Sequence, residues 1–251
     1  MVLDRAIGKD FDKVSEVYEN VRPDYPIDLI EKIIEFSNLP KHGKILEIGA
    51  GSGKATLPFA KYDITAIEPS ENLIKIAKDK TAEFSNVKYL KSTFEDISIP
   101  ENHFDLLISG TAFHWVDPRV GYEKAGKVLK QNGSLALFWN KHNYEKIDFI
   151  DGILSFYNKY SDGHYTSNDS VDEAIRKIEE TDIFEPLQQF IYQRNLTYSK
   201  ENYVKLVGTF GWVISSPRKE EMLGELRELL KEVSSPLQIP YATVLLITRK
   251  K

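Results

Sequence analysis

The chain of 251 residues has no cysteine. That single absence excludes disulfides, thiolate zinc sites and cysteine nucleophiles. No apolar run approaches the ~20 residues that a membrane-spanning helix requires. Residues 1–13 are charged and lack the apolar core of a secretion signal. The five histidines (His42, His103, His114, His142 and His164) are scattered, with no i,i+4 pair, so no metal site is indicated. Positive charge is not in excess either. The net charge is −5, with acids and bases interleaved, which argues against a nucleic-acid partner held through its phosphates. What remains is 41% apolar and 12% aromatic, enough for a sizeable core and too much for global disorder. The expectation is a cytoplasmic globular protein with no membrane and no nucleic-acid partner.

Also missing are internal repeats, low-complexity tracts and any proline- or glycine-rich linker, so one domain is expected over residues 1–251. From residue 44 to residue 139 short apolar runs alternate with helical patterns. Strands are predicted at 44–49, 64–68, 87–91, 104–109 and 134–139, and helices at 54–61, 71–84 and 119–130. Continuous rather than alternating apolar runs are those of strands covered on both faces. Alternation of this kind implies a parallel sheet with right-handed crossovers. Before it, residues 1–43 form an N-terminal cap segment and one amphipathic helix at 27–36. Pro23 and Pro26 stop helix formation in the segment 4–26, which is expected to lie across the domain. After it, residues 140–251 read as helical insertions at 148–160, 171–181, 200–214 and 218–233, with strands at 188–198 and 241–248. The fold class expected is α/β: a doubly wound, mostly parallel, Rossmann-like sheet of about seven strands, with the insertions forming a lid.

The densest signal is Lys44-Ile-Leu-Glu-Ile-Gly-Ala-Gly-Ser-Gly-Lys54. A short buried strand runs into a turn in which Gly49, Gly51 and Gly53 leave the backbone bare of Cβ atoms, so a ligand can lie against it. The turn is expected to pass its free N–H groups into a helix N-terminus. Glu68, at the end of the following strand, stands where a nucleotide-type site has a ribose-binding acid. The spacing is not G-x-G-x-x-G, because the third glycine comes one residue early. Nor is it a phosphate-binding P-loop, because Ala55 follows the Gly-Lys pair.

Glu47-Ile-Gly-Ala-Gly-Ser-Gly53 resembles the first motif of class I S-adenosylmethionine-dependent methyltransferases. Glu68-Pro-Ser70, Phe94-Glu-Asp-Ile97, Phe104-Asp-Leu-Leu-Ile108 and Val128-Leu-Lys-Gln-Asn-Gly-Ser134 are similar to that family in the expected order. Ala112-Phe-His-Trp115 with Asp117, and Tyr18…Arg22-Pro-Asp-Tyr-Pro26 upstream, resemble the branch that contains trans-aconitate methyltransferases. The resemblance implies S-adenosyl-L-methionine as cofactor and a small-molecule acceptor. It places Glu47, Gly49, Ala50, Gly51 and Gly53 at the methionine end and Glu68 with Pro69 at the ribose. Thr93, Phe94 and Glu95 fall at the adenine. The family usually has an acid at the position of Thr93, so this chain departs from it there. Ser109 and Gly110 lie at the carboxyl end of the fourth strand, where open α/β sheets place reacting groups. His114 and Trp115 line the transfer site in this reading, or simply pack a loop. Tyr18 and Arg22 close over the cofactor's carboxylate, or pin the N-terminal segment.

Methyl transfer from a sulfonium is an in-line displacement, so alignment in a dry pocket is the main task. A carboxylate acceptor needs no base, only a cation to place it, with Arg22, Arg119 and Arg218 as candidates. A hydroxyl or amine acceptor would make His114 the general base. Phe156, Tyr157, Tyr160, Tyr165, Tyr203, Phe210 and Trp212 supply either a lid over the acceptor or the core of the insertions. Two other readings stay open: a catalytically silent S-adenosylmethionine-binding or partner-binding protein, and a nicotinamide-dependent oxidoreductase. Oligomeric state is left open.

Overall fold

A computed structural model describes residue 12 and residues 14–142, 150–161 and 169–251. The expected beginning of a helix at Asp148, the loop through Gly163, His164 and Tyr165, and most of residues 1–13 lie outside the described residues.

Seven strands form one sheet in the order β3-β2-β1-β4-β5-β7-β6. They are β1 (Lys44–Ile48), β2 (Asp63–Glu68), β3 (Val87–Lys91), β4 (Phe104–Gly110), β5 (Leu129–His142), β6 (Gln188–Tyr198) and β7 (Leu237–Arg249). Neighbours among β1 to β5 pair in parallel. Strand β7 runs antiparallel to both β5 and β6. The sheet is therefore mixed, and the expectation of a mostly parallel one holds only loosely, with four parallel and two antiparallel pairings. The reason is the route of the chain: helices inserted after β6 leave β7 to start at the carboxyl end of the sheet and run back down. Apolar runs behave as expected, with Leu46, Leu106, Leu107 and Ile108 fully buried between two layers.

The helices are α1 (Ser15–Val21), α2 (Ile27–Ser37), α3 (Glu71–Lys80), α4 (Pro118–Val128), α5 (Ile150–Tyr160), α6 (Asp169–Glu180), α7 (Lys200–Val207), α8 (Gly211–Ile214) and α9 (Lys219–Leu229). One face of the sheet is covered by α2 and the turn around Phe59, the other by α4 and α6. A third core joins α5, α7 and α9 with Val21 of α1 and the ends of β6 and β7. This cap stands over the carboxyl ends of the strands. No helix among the described residues is long and apolar enough to cross a membrane.

Three local expectations fail, each for a physical reason. The segment 4–26 does contain a helix, α1, which ends at Val21 with Arg22 extended (ψ 133°). Pro23 disfavours helical geometry only in its predecessor, so the two prolines end this helix without preventing it. The helix expected at 54–61 is a single 3-10 turn, Leu57–Phe59. Pro58 has no N–H to give to the carbonyl of Lys54, so no α-helix follows the glycine turn. The helix expected at 200–214 is broken into α7 and α8, with Phe210 extended (ψ 138°) between them. That break exposes the backbone of Thr209 to the N-terminal segment.

Candidate functional site

After β1 the chain turns through Gly49 (φ 69°), Gly51 (φ 56°) and Gly53 (φ 80°), all in the left-handed region. The amides of Gly49 and Ala50 donate to the carbonyl of Ile67 at 2.9 and 3.1 Å, which ties the turn to β2. A Cβ at Gly49 would stand 2.3 Å from the Cβ of Ala112. A Cβ at Gly51 would meet nothing within 4 Å. The turn therefore has a packed side and an open side. Replacing Gly49 with Ala is expected to cost about 2–4 kcal/mol through the clash and the left-handed backbone together. Chemical denaturation of the apo protein measures this.

Two carboxylates flank the turn. Glu68 is 6% exposed, and its Oε2 accepts from the Gly51 amide at 2.9 Å while Oε1 accepts from the Ser70 amide at 2.9 Å. Each carboxylate oxygen retains a lone pair after these bonds. Burial pushes the Glu68 carboxyl up to about 7 despite both amides. Glu47, 1% exposed on β1, is pushed by burial up to about 8, with Glu68 adding repulsion. Glu47 Oε2, Ser52 Oγ and Thr56 Oγ1 are buried without a hydrogen-bond partner among the described residues. Three orphaned polar atoms around one turn are unusual, since buried polar groups are normally paired.

At the end of β3, Phe94 is buried (2% exposed) and Thr93 bonds its own loop through Asp96 at 3.0 Å. The Glu95 carboxylate accepts from the Asp117 amide at 2.8 Å, joining this loop to the start of α4. Pro69 is exposed beside Glu68. Lys124 of α4 donates to the carbonyls of Phe94, Glu95 and Ile97 at 2.6, 3.1 and 2.6 Å. Nothing in the local sequence marks that lysine as the clamp of the 94–97 loop.

The N-terminal segment crosses above. Glu19 pairs with Lys80 at 2.9 Å and with Lys54 at 3.6 Å, and Lys54 also pairs with Asp24 at 2.9 Å. The Arg22 guanidinium lies between the rings of Tyr18 and Phe210. Its Nε and Nη2 donate to the hydroxyl and carbonyl of Thr209 at 2.9 and 2.8 Å. The fork expected for a carboxylate is thus engaged by the break between α7 and α8. An open cavity of about 500 Å³ lies where this segment, Lys54 and the end of β6 meet.

Beyond β4, Ser109 is fully buried and gives its hydroxyl to the Ile48 carbonyl at 2.8 Å, which locks β4 to β1. Gly110 is covered by Tyr25, whose hydroxyl would stand 2.6 Å from a Cβ there. Tyr25 in turn packs edge-on to Phe138 and bonds Thr111 at 3.0 Å. His114 and Trp115 sit in the 3-10 turn Phe113–Trp115, with the Trp115 ring against Gly211 of α8. His114 Nδ1 accepts from the indole N–H of Trp139 at 3.2 Å. Burial, together with Lys141 and Arg22, pushes the His114 imidazole down to about 4.

Comparison with known proteins places this geometry. Residues 46–137 match the family described as methyltransferase domain. A Dictyostelium discoideum protein named as a methyltransferase is 34% identical over 187 residues, covering 66% of this chain and 68% of its own. The chain belongs to the class I S-adenosylmethionine-dependent methyltransferases. The methyltransferase is also 26% identical to the Saccharomyces cerevisiae protein CRG1, named as an S-adenosylmethionine-dependent methyltransferase, across 98% of both chains. In fold it is similar to a type II methyltransferase structure from Anaeromyxobacter dehalogenans, at 19% identity and a TM-score of 0.62 over 91% of this chain and 97% of that one.

The residues present fit the cofactor of the family. A methionine end carrying an ammonium suits an orphaned Glu47, and a ribose suits the remaining lone pairs of Glu68. The open face of Gly51 leaves room for such a ligand that a side chain would fill. The residues that local patterns did not reveal are Lys124, Tyr25, Trp139 and Asn140. Asn140 bonds the Pro23 carbonyl, Arg194 and Thr243 at 3.2, 3.1 and 2.7 Å, and so joins the N-terminal segment to β6 and β7.

Proposed function

We propose that this methyltransferase acts on a small molecule and methylates it on a carboxylate. The observation that supports this reading is His114 beyond the end of β4, bonded through Nδ1 to Trp139, in a surrounding where burial, together with the charges of Lys141 and Arg22, disfavours its imidazolium. Positive charge beside a neutral imidazole favours an anion over a cation as the acceptor. Glu68 would hold the ribose hydroxyls, Glu47 the ammonium, and Thr93, Phe94 and Glu95 the adenine edge, with Gly49, Ala50, Gly51, Gly53 and Pro69 as the walls. Tyr18 would lie on the cofactor side of Arg22, and Trp115 would roof the acceptor against Gly211. Ser109 and Gly110 contribute by fixing β4 and admitting Tyr25 rather than by touching the acceptor.

When bound, S-adenosylmethionine supplies the methyl: the carboxylate oxygen forms the new O–C bond as the C–S bond breaks, leaving an ester and a neutral thioether with no proton transferred. The protein's part is to orient the carboxylate and exclude water. A screen with methyl-labelled cofactor against carboxylic acids, phenols and amines tests the reading. The expected product is a methyl ester whose label is released by mild base. Label retained on nitrogen, carbon or a phenol would overturn it.

A further inference from the structure

Trp139 was expected only as an apolar strand residue, and it is indeed 2% exposed within the core beneath α4 and α6. Its ring nitrogen nevertheless does specific work. An indole N–H is a donor and nothing else. The nitrogen that receives it, His114 Nδ1, must therefore be bare. A neutral imidazole has one proton to place, and with Nδ1 bare that proton is on Nε2. No described residue bonds His114 through Nε2, and that atom is not among the enclosed polar atoms that lack partners. The second nitrogen is thus not enclosed, and its hydrogen has no partner among the described residues.

We propose that Trp139 is a positioning residue that holds His114 as a fixed Nε2–H hydrogen-bond donor to the methyl acceptor. The inference rests on the reading above in placing the acceptor against His114. It goes further in assigning the direction of the bond and in excluding a role for His114 as base. Accepting a proton at Nδ1 would set two N–H groups against each other. Burial of the ring opposes it too, as do the positive charges of Lys141 on β5 and Arg22 at the end of α1. An acceptor that must lose a proton as it attacks finds no base here. One that arrives already ionised finds a donor for its non-attacking oxygen, and that oxygen remains an acceptor in the ester product. The same bond then orients substrate, transition state and product without having to break.

Long-range ¹H–¹⁵N spectra of ¹⁵N-histidine-labelled protein, saturated with S-adenosylhomocysteine and followed from pH 5 to 8, test this without any acceptor. The expected pattern for His114 is a bare Nδ1 and a protonated Nε2 across the whole range. In Trp139→Phe the donor is lost, so an Nδ1–H population should appear and the His114 midpoint should rise by about one pH unit or more. A proton on Nδ1 of the wild-type protein, or an imidazolium at pH 7, would overturn the proposal whatever the acceptor proves to be. An unchanged tautomer in a folded Trp139→Phe protein, one that still binds S-adenosylhomocysteine, would equally remove Trp139 from the role. Should that variant fail to fold, the wild-type spectrum decides alone. A phenol or amine product from the labelled-methyl screen overturns the acceptor class instead, and the spectrum distinguishes that failure from this one.

Discussion

Gly51→Arg is expected to abolish cofactor binding while leaving a folded protein. The two halves of that expectation come from one observation. Gly51 faces open space, so a side chain there displaces no protein atom. The stability cost is then the left-handed backbone alone, about 1–2 kcal/mol. The side chain would instead occupy the open space beside the Gly51–Glu68 bond, where the proposed site puts the ribose and methionine parts. Affinity for S-adenosylhomocysteine should fall by about a hundredfold or more, on the order of 2.7 kcal/mol. Titration calorimetry measures the loss, and a thermal melt of the apo protein measures the fold. Full binding by this variant would place the cofactor elsewhere. Gly49→Ala should show the opposite balance, because its methyl group meets Ala112 rather than a ligand.

Cofactor binding is also expected to release protons near neutrality. The Glu47 carboxyl is pushed up to about 8 and that of Glu68 up to about 7, both chiefly by burial. In the free enzyme at pH 7 Glu47 is mostly protonated. A ligand carrying an ammonium and a sulfonium favours its ionised form, so up to about one proton leaves per cofactor bound. Calorimetry in buffers of different ionisation enthalpy reads this number directly. Affinity should rise with pH, by at most about tenfold per unit, until Glu47 is ionised in the free protein. The sign for stability is the reverse of the usual carboxylate case. The folded apo protein retains protons that the unfolded chain has released above its ordinary value of 4.5, so stability falls as pH rises from there to about 8. Glu47→Gln should weaken both dependences, leaving the part due to Glu68 below about pH 7. Cofactor binding at pH 7 with no proton uptake or release would show that Glu47 does not face its positive end.

Much of this was legible in the residues, for a reason that differs by element. Strand β6 runs from Gln188 to Tyr198, the limits expected from its alternation, because one of its faces packs on the core and the other meets solvent. The glycine turn and Glu68 were legible because a bare backbone and a strand-end acid are local features. Local reading failed where one residue overrides a pattern, as Pro58 does after the turn, and where a helix fits ahead of a proline, as α1 does before Pro23. It failed most completely for partners distant in the chain. Arg22 had a guanidinium to place, but its partner Thr209 lies 187 residues away in a break that looked like continuous helix. Trp139 gave no sign in its strand that its N–H would meet His114. In the proposed site the donor half is built from local features of the chain, and the acceptor half from these long-range pairings.

The glycine turn leads into no helix, and this bears on which adenosine compounds the protein can tell apart. A helix starting at Lys54 would have aimed the positive end of its macrodipole at the turn. That field attracts a pyrophosphate and repels a sulfonium. With Pro58 reducing the segment to one 3-10 turn, the amides stand without it, and the two buried ionisable groups that flank the turn, Glu47 and Glu68, are acids. Adenine nucleotides and dinucleotides share the adenosine of the cofactor but carry negative charge where it carries positive. The backbone after β1, kept from forming a helix at Pro58, is therefore expected to add to discrimination against these competitors.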